Sequence, residues 1–214
     1  MNADHTDGYQ EMSTLQHSEN SCSAEYYDKN ALVYYDQTVN LDLSTLYEPF
    51  LKLIPEHGKI LDAGCGSGRD SLYFKRKGFS VVLFDVSKEM VNLAVQLIGQ
   101  AVLHMSFTDV VFEDEFDGIW ACASLLHVSN DDIDDVFRRL THALKREGVL
   151  YASFKYGNTE RKSGDRMFND YDEGKLSLFV SNHKDLKIEK SWLTEDVRTD
   201  RKNEFWLNVL FRKV

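Results

Sequence analysis

The sequence predicts an α/β protein with a doubly wound, seven-stranded, mostly parallel sheet, helices on both faces and a C-terminal antiparallel hairpin. Two observations support this fold class. Between Lys59 and Lys155, short apolar runs alternate with segments of helical periodicity. Two further strand-like runs, at about 186–193 and 204–211, are separated by a charged turn at 198–203. A chain of 214 residues is long enough for a single large core.

A glycine-rich turn is the most informative stretch. The short apolar run from Lys59 to Leu61 reads as a strand that ends at Asp62, and Gly64, Gly66 and Gly68 follow at alternate positions. Because glycine lacks a Cβ, such a turn lets a ligand approach the backbone. A helix from Arg69 to Lys77 comes next and would point its free N–H groups towards a ligand over the turn.

The glycine spacing argues against a dinucleotide. In the pyrophosphate-binding pattern the third glycine comes one position later, where this chain has Arg69. A second strand, from Ser80 to Phe84, ends in Asp85, which falls 21 positions after Gly64. An acidic residue at that distance is placed to accept hydrogen bonds from ribose hydroxyls. The pattern therefore favours an adenosine-type cofactor without a phosphate.

The stretch from Ile60 to Gly68 resembles the first motif of the class I S-adenosylmethionine-dependent methyltransferases, two hydrophobic residues followed by D-x-G-C-G-x-G. Including weaker features, the resemblance extends over roughly 26–214. It implies S-adenosylmethionine as cofactor, S-adenosylhomocysteine as product, and a small stand-alone enzyme similar to the tellurite and thiopurine methyltransferases. Motif, spacing and resemblance together give these candidate cofactor residues: Tyr27, Tyr35, Asp62, Gly64, Cys65, Gly66, Gly68, Arg69, Asp85, Val86, Met90, Phe107, Asp109 and Ala123.

Several of these candidates have a structural alternative. The tyrosines of the segment 25–38 either close over the cofactor, as in similar enzymes, or fasten this segment to the core. Val86 and Met90 follow the ribose-side acid and would line the adenine, although Met90 suits the core equally. Asp109 is expected to bind the adenine amino group beside Phe107, or else to satisfy local backbone donors in a turn.

A long apolar block from Phe116 to Val128 resembles the fourth strand of that family, which ends beside the sulfonium. Its small residue Ala123 would let the backbone pass close to the cofactor. His127 lies just beyond and is the candidate catalytic and substrate-binding residue, since an imidazole orients a substrate or accepts a proton near neutral pH. The alternative is a structural histidine.

The segment 155–166 is polar and basic and is predicted to form a loop above the carboxyl ends of the strands, followed by a helix at about 168–180. Arg161 and Arg166 are the candidates for substrate binding, because a guanidinium pairs with a carboxylate or phosphate through two hydrogen bonds. A solvated surface loop is the alternative.

Composition narrows the function classes. The net charge of −10 and the pI of about 5.1 give no general attraction to polyanions. Cys22, Cys65 and Cys122 are too far apart for a disulfide framework or a zinc site, and the aspartates of 131–135 suit a helix start better than a metal site. With no signal peptide and no apolar stretch of membrane-spanning length, we expect a cytoplasmic protein without metal or membrane contact.

The predicted organisation is a flexible lead at 1–24 and one methyltransferase domain at 25–214. Within the domain, 25–57 supplies a lid and helices, 58–154 the cofactor-binding core, and 155–214 a substrate-side loop, a helix and the closing hairpin. The favoured function is methyl transfer by in-line displacement to a small molecule. The alternatives are modification of a transfer-RNA base and a regulatory protein that binds the cofactor without transferring its methyl group. The oligomeric state is left open.

Overall fold

The computed structural model describes residues 7–198, 201 and 203–214, with side chains from residue 23 onward. This part of the chain forms the following helices and strands, in order. They are α1 (Asp7–Thr38), α2 (Ser44–Leu51), β1 (Lys59–Ala63), α3 (Arg69–Arg76), β2 (Ser80–Asp85), α4 (Lys88–Ile98), β3 (Leu103–His104), β4 (Phe116–Ala121), α5 (Ile133–Ala143), β5 (Leu144–Lys155), β6 (Glu160–Ser163), β7 (Arg166–Asn169), α6 (Glu173–Ser181), β8 (Leu186–Glu195) and β9 (Phe205–Lys213).

Seven strands form one sheet in the order β3-β2-β1-β4-β5-β9-β8. Neighbours from β3 to β5 are parallel, whereas β9 runs antiparallel to both β5 and β8. The predicted fold class is therefore confirmed, including the closing hairpin. The strand order reverses direction between β1 and β4, and open α/β sheets bind ligands at the carboxyl ends of the strands beside such a point.

Both faces of the sheet are covered by helices, which explains why the central strands are apolar throughout. Successive residues of a strand point to opposite faces, so Ile60 and Leu61 enter different cores. One core packs Leu61 with Phe137 of α5. The other packs Ile60 with Phe50 of α2 and with Phe74 of α3. The two cores fix the carboxyl ends of the strands in place.

The chain after β5 differs from the sequence-based expectation. The segment predicted as a loop at 155–166 is part of a two-stranded antiparallel hairpin, β6–β7, in which Arg161 pairs with Phe168. Gly164, with a φ of 59°, forms its turn. The helix predicted from about residue 168 begins instead at Glu173, because the Asp172 side chain accepts a hydrogen bond from the Lys175 amide at 2.8 Å and caps it.

The N-terminal segment is helical from Asp7, so the expected boundary at residue 24 falls inside α1, and residues 1–6 of the expected lead lie outside the described residues. α1 is attached to the domain through Asp28. Its Oδ1 accepts hydrogen bonds from the Ser87 hydroxyl at 2.6 Å and from the Glu89 amide at 3.1 Å. Asp28 thus adds a cap to the first turn of α4, next to the end of β2.

The charged turn between β8 and β9 is described only in part, since 199, 200 and 202 lie outside the described residues.

Candidate active site

A cleft of about 1070 Å³ opens at the carboxyl ends of β1, β2 and β4 and is covered by α1. It brings together most of the residues expected at the cofactor. The predicted residues that line it are Tyr27, Gly64, Cys65, Gly66, Arg69, Asp85, Val86, Met90, Phe107, Ala123 and His127. The other lining residues are not among the predicted cofactor residues; they are Ser23, Tyr34, Thr38, Ser67, Asp70, Phe84, Met105, Ser106, Thr108, Cys122, Ser124, Val128 and Val136.

The three alternate glycines, Gly64, Gly66 and Gly68, have different surroundings. A Cβ on Gly64 would lie 2.5 Å from the Cβ of Ser124, and one on Gly68 would lie 2.7 Å from Ile98 Cδ1. These two glycines therefore give room to neighbouring side chains. A Cβ on Gly66 would meet no atom within 4 Å, so this position alone leaves the backbone open towards the cleft. All three have positive φ, which favours glycine.

Asp85 is buried at the tip of β2 and lines the cleft. Its Oδ2 accepts a hydrogen bond from the Gly66 amide, and its Oδ1 accepts one from the Ser87 amide, each at 2.8 Å. Burial raises the pKa of the carboxyl, although these backbone donors act in the opposite direction. The carboxylate thus fixes the glycine turn and retains acceptor capacity on each oxygen for a further donor.

Asp62 does not line the cleft. It is buried beneath the glycine turn, where its Oδ2 accepts a hydrogen bond from the Ser71 hydroxyl at 2.7 Å. Burial, followed by the neighbouring Asp70 carboxylate, raises its pKa well above the usual range. Asp62 therefore supports the turn from below and ties β1 to α3.

Arg69 lines the cleft with its charge already paired. Its Nε and Nη2 donate to the two Asp70 oxygens at 2.6 and 3.1 Å, and its Nη1 donates to the Thr38 carbonyl at 3.3 Å. Asp70 also accepts from the Tyr47 hydroxyl at 2.6 Å and from Trp120 Nε1 at 2.8 Å. Burial alone would raise the pKa of Asp70, but Arg69 and these donors hold it below the usual value.

The two predicted cofactor residues in the turn after β3, Phe107 and Asp109, have different surroundings. The Phe107 ring lines the cleft and packs edge-to-face on Phe84 at 5.3 Å between ring centres. Asp109 does not line the cleft and caps the turn instead, because its Oδ2 accepts hydrogen bonds from the Ser106 amide at 2.8 Å and from the Ser106 hydroxyl at 2.7 Å. These bonds lower its pKa. The geometry matches the local turn role, and Thr108 is the neighbour that reaches the cleft.

Tyr27 of α1 and His127, just after β4, meet in the roof of the cleft. The Tyr27 hydroxyl lies 2.9 Å from His127 Nε2, and His127 Nδ1 lies 2.7 Å from the Met167 carbonyl oxygen. A carbonyl only accepts, so Nδ1 carries the proton and Nε2 accepts from Tyr27. Burial lowers the pKa of His127 to about 4, which leaves the imidazole neutral at pH 7. Burial also raises the pKa of Tyr27.

Of the other tyrosines of α1, it is Tyr34 and not Tyr35 that lines the cleft. Tyr34 follows Tyr27 by two helical turns, and their rings pack edge-to-face at 5.2 Å. The seven-residue spacing is visible in the sequence and would have selected Tyr34 had the segment been read as a helix.

A second cavity of about 810 Å³ adjoins the cleft and shares several lining residues with it, among them Tyr27, Tyr34, Ala123 and His127. Its far wall comes from the α1–α2 connection, the start of α2, the segment after β4, the β6–β7 hairpin, and β8 and β9 with their connection. Apolar and aromatic side chains on this wall are Leu41, Leu43, Leu46, Leu126, Phe168 and Trp206. The two spaces thus meet beside the Tyr27–His127 pair.

The predicted substrate-binding arginines lie in different surroundings. Arg166 lines the second cavity. Arg161 lines neither space, because its Nε and Nη2 donate to the Asp170 carboxylate at 2.6 and 3.3 Å. Lys155 of the same basic segment is buried and bonded to Asp196 at 3.1 Å and to Glu204. Two members of the basic cluster seen in the sequence, Lys155 and Arg161, are therefore neutralised by carboxylates.

Within the described part of the chain, no group of three or more His, Cys, Asp or Glu side chains has an arrangement suited to a metal ion. No helix there combines the length and the apolar character needed to cross a bilayer. Cys65 and Cys122 are free thiols, and burial raises the pKa of both.

Comparison with known proteins identifies the class of this site. Residues 60–148 match the family model of a methyltransferase domain. YqeM of Bacillus subtilis (strain 168), provisionally named as a methyltransferase, is 31% identical over 131 residues, which are 56% of this chain and about half, 52%, of that protein. An uncharacterized methyltransferase of Staphylococcus carnosus (strain TM300) is 26% identical over 185 residues, 82% of this chain and 86% of its own length.

Solved structures show the same fold. The 1,6-didemethyltoxoflavin-N1-methyltransferase of Burkholderia thailandensis, with bound 1,6-didemethyltoxoflavin and S-adenosylhomocysteine, superposes with a TM-score of 0.71 and 21% identity, covering 100% of this chain and 93% of that one. The magnesium protoporphyrin IX methyltransferase of Synechocystis, with bound S-adenosylmethionine, gives a TM-score of 0.69 and 14% identity, covering 92% and 97%.

The fold, the open backbone at Gly66 and the carboxylate of Asp85 at the tip of β2 together form a Rossmann-like cleft, and the family match assigns residues 60–148 to a methyltransferase domain. Residues 60–148 are therefore a methyltransferase domain, and the described chain has the fold of the class I S-adenosylmethionine-dependent methyltransferases. The resemblance, the reaction class and the cofactor expected from the first motif are confirmed.

Proposed function

We propose that this enzyme transfers the methyl group of S-adenosylmethionine to a small molecule held in the second cavity. The observation that carries the proposal is the junction of the two spaces at Tyr27, Tyr34, Ala123 and His127. A donor in the cleft and an acceptor in the second cavity would approach each other at this junction.

The cleft suits the cofactor. Gly66 leaves its backbone open, Asp85 offers acceptor capacity for ribose hydroxyls, and Val86, Met90 and Phe107 give an apolar wall for a base. The bound cofactor supplies an already activated methyl group on a sulfonium. What remains for the protein is to align the acceptor and exclude water, and good alignment alone is worth about 7–11 kcal/mol of the barrier.

A small acceptor is favoured because the second cavity lies between α1 and the β6–β7 hairpin. Tyr27 and Tyr34 line it from α1, Arg166 and Phe168 line it from the hairpin, and the Met167 amide donates a hydrogen bond to the Ser23 hydroxyl at 3.5 Å. Modification of a transfer-RNA base has weaker support. That hypothesis used the basic cluster at 155–166, but Lys155 and Arg161 are paired with carboxylates and the net charge is −10.

We also propose that Tyr27 and His127 remove a proton from the acceptor. The acceptor proton passes to the Tyr27 oxygen while the Tyr27 hydroxyl proton passes to His127 Nε2. A neutral imidazole whose pKa is lowered to about 4 is a weak base. It is sufficient for an acceptor hydroxyl or ring N–H, because these groups become strongly acidic in the transition state, as the bond to the methyl group forms and the proton is transferred.

The acceptor class is tested by incubating the protein with methyl-labelled S-adenosylmethionine and a desalted, recombined cell extract. We expect label in the small-molecule fraction. Ribonuclease-sensitive label would instead support the transfer-RNA hypothesis. Cofactor binding without label in any fraction would overturn the proposal and favour the regulatory one.

The proton relay is tested with Tyr27→Phe and Tyr35→Phe at saturating cofactor and acceptor. Tyr27→Phe should lower kcat about 10²-fold or more, the contribution typical of a general base. Tyr35→Phe, on the same helix but outside both spaces, is the matched control and should keep the wild-type kcat. A Tyr27→Phe enzyme with wild-type kcat would show that this pair only positions α1.

A further inference from the structure

Arg166 differs from the other cations of the second cavity. It begins β7, and its guanidinium carbon lies 4.4 Å from the centre of the Tyr26 ring and 5.0 Å from that of Phe168. Its Nε is buried without a hydrogen-bond partner, whereas another part of the guanidinium hydrogen-bonds the Tyr27 hydroxyl, and no ion pair joins Arg166 to a carboxylate among the described residues. An arginine that faces a cavity in this way keeps an N–H donor that the aromatic rings of Tyr26 and Phe168 do not satisfy.

The remaining cationic side chains of the cavity have carboxylate partners. Arg69 is bonded to Asp70, Lys155 is bonded to Asp196 and Glu204, and Arg198 Nη2 lies 2.6 Å from Asp196 Oδ2. Arg201 Nη1 lies 3.9 Å from Glu204 Oε2. Among the described arginines and lysines of this wall, Arg166 is therefore the one that no carboxylate neutralises and that keeps an unsatisfied N–H donor.

We propose that the methyl acceptor carries a carboxylate or phosphate group and that Arg166 binds this group. The inference rests on the proposed function, because it specifies the molecule that occupies the second cavity. A guanidinium suits these anions since its planar fork donates two parallel hydrogen bonds. The apolar wall formed by Leu43, Leu46 and Leu126 suits the body of the same molecule. The acceptor is thus an acid with an apolar or aromatic body.

The position of Arg166 also orients the acceptor. Its positive charge is close enough to act on both members of the pair, since it lowers the pKa of His127 and opposes the burial that raises the pKa of Tyr27. An acid group bound there would lie beside the junction and would hold the neighbouring part of the molecule next to the cleft. Arg166 is therefore a specificity-determining residue.

The first arm of the test fractionates labelled small molecules from the cell extract on a strong anion exchanger at pH 8. We expect the labelled product to be retained by the exchanger. Label in small molecules that flow through would overturn the inference while leaving the small-molecule function intact. If no small molecule is labelled, the proposed function fails first and the inference fails with it.

The second arm titrates the extract fraction that supports labelling into wild type, Arg166→Gln, Arg166→Lys and Lys162→Gln. Lys162 is the matched control, because it is an exposed cation on the same hairpin outside both cavities. Arg166→Gln should raise the half-saturating amount of acceptor about tenfold or more with little change in kcat, since the lost contact binds ground and transition states alike. Arg166→Lys should restore part of the affinity.

Folding of each variant is checked by its thermal stabilisation with S-adenosylhomocysteine, which reports the intact cleft independently of the acceptor. An Arg166→Gln protein that binds S-adenosylhomocysteine normally and needs no more acceptor than wild type would overturn the inference. So would an equal loss in Lys162→Gln, which would indicate general attraction of anions to the hairpin.

Discussion

Gly66 and Gly99 have similar backbone conformations for different reasons. Their φ angles are 53° and 70°, and an added Cβ would meet no atom within 4 Å at either position. Gly99 ends α4, whereas Gly66 faces the cleft. The same substitution at both sites therefore separates the cost of backbone strain from the cost of filling a ligand site.

We expect Gly66→Ala and Gly99→Ala each to lower the free energy of unfolding by about 1–2 kcal/mol, the cost of a left-handed conformation for an L-residue. Only Gly66→Ala should weaken S-adenosylhomocysteine binding, about tenfold or more, as measured by calorimetric titration. Equal affinities in the two variants would contradict the assignment of Gly66 to the cofactor site.

Burial of His127 in the site makes the free energy of unfolding depend on pH. Burial lowers its pKa in the folded protein to about 4, below its ordinary value. The unfolded chain therefore binds the proton more readily, and stability falls as the pH decreases through the unfolded pKa towards the folded one. Above pH 7 the imidazole is neutral in both the folded and the unfolded state, so it does not make the free energy of unfolding depend on pH.

Between pH 7 and pH 5, we expect wild type to lose about 2 kcal/mol more unfolding free energy than His127→Asn, as measured by urea denaturation. His142→Asn, which removes an exposed histidine, should behave like wild type. If wild type and His127→Asn lost equal stability over this range, His127 would not be held neutral by burial.

At the scale of elements, the active site depends on how α1 is attached. Asp28 caps the start of α4, and Tyr27 beside it reaches His127. α1 thereby brings two faces of the cleft together, one at the tip of β2 and one after β4. A helix held by few polar contacts is a natural place for the cleft to open and admit ligands.

Asp28→Ala should lower the stability of the protein by about 1 kcal/mol, as expected for a lost cap, and should weaken S-adenosylhomocysteine binding severalfold. Hydrogen exchange followed by mass spectrometry should show faster exchange in the part of α1 from residue 23 to 38. Asp36→Ala removes an exposed carboxylate of the same helix without a described hydrogen bond to the domain and serves as the control. Unchanged exchange in Asp28→Ala would show that packing alone holds α1.

The elements also show how far the sequence predicts this structure. Strands with local signals, such as β1 before its glycines and β2 before Asp85, were placed within two residues. The β6–β7 hairpin was not predicted, because Arg161–Lys162 and Arg166 look like a solvated basic loop until Asp170 and the rings of Tyr26 and Phe168 are brought against them. Long-range partners decide such segments, and their positions are not encoded locally.

Within the site, too, residues with a local sequence signal were predicted and residues placed by long-range packing were not. Asp85 was selected by its spacing from Gly64, a signal fixed by the βαβ unit itself. Tyr34 and Thr38 were not selected, because their place in the cleft depends on where the whole of α1 packs. Asp109 was expected at the adenine, but its carboxylate reaches the nearer Ser106 donors.

At the scale of the whole molecule, one buried network holds the site to the cores. Asp70 of α3 joins Tyr47 of α2, Trp120 of β4 and Arg69 at the edge of the cleft. The Trp120 ring in turn stacks on Tyr151 of β5 at 3.9 Å between centres. Helices and strands around the cleft are thereby connected through side chains with satisfied hydrogen bonds, which gives the glycine turn a rigid base.

We propose that S-adenosylmethionine binds over the glycine turn with its ribose at Asp85. This placement is tested by calorimetric titration of S-adenosylhomocysteine into wild type, Asp85→Asn and Asp109→Asn. We expect one site per chain in wild type, at least about tenfold weaker binding in Asp85→Asn through loss of charged hydrogen bonds, and wild-type affinity in Asp109→Asn. Unchanged affinity in Asp85→Asn, or a loss confined to Asp109→Asn, would contradict it.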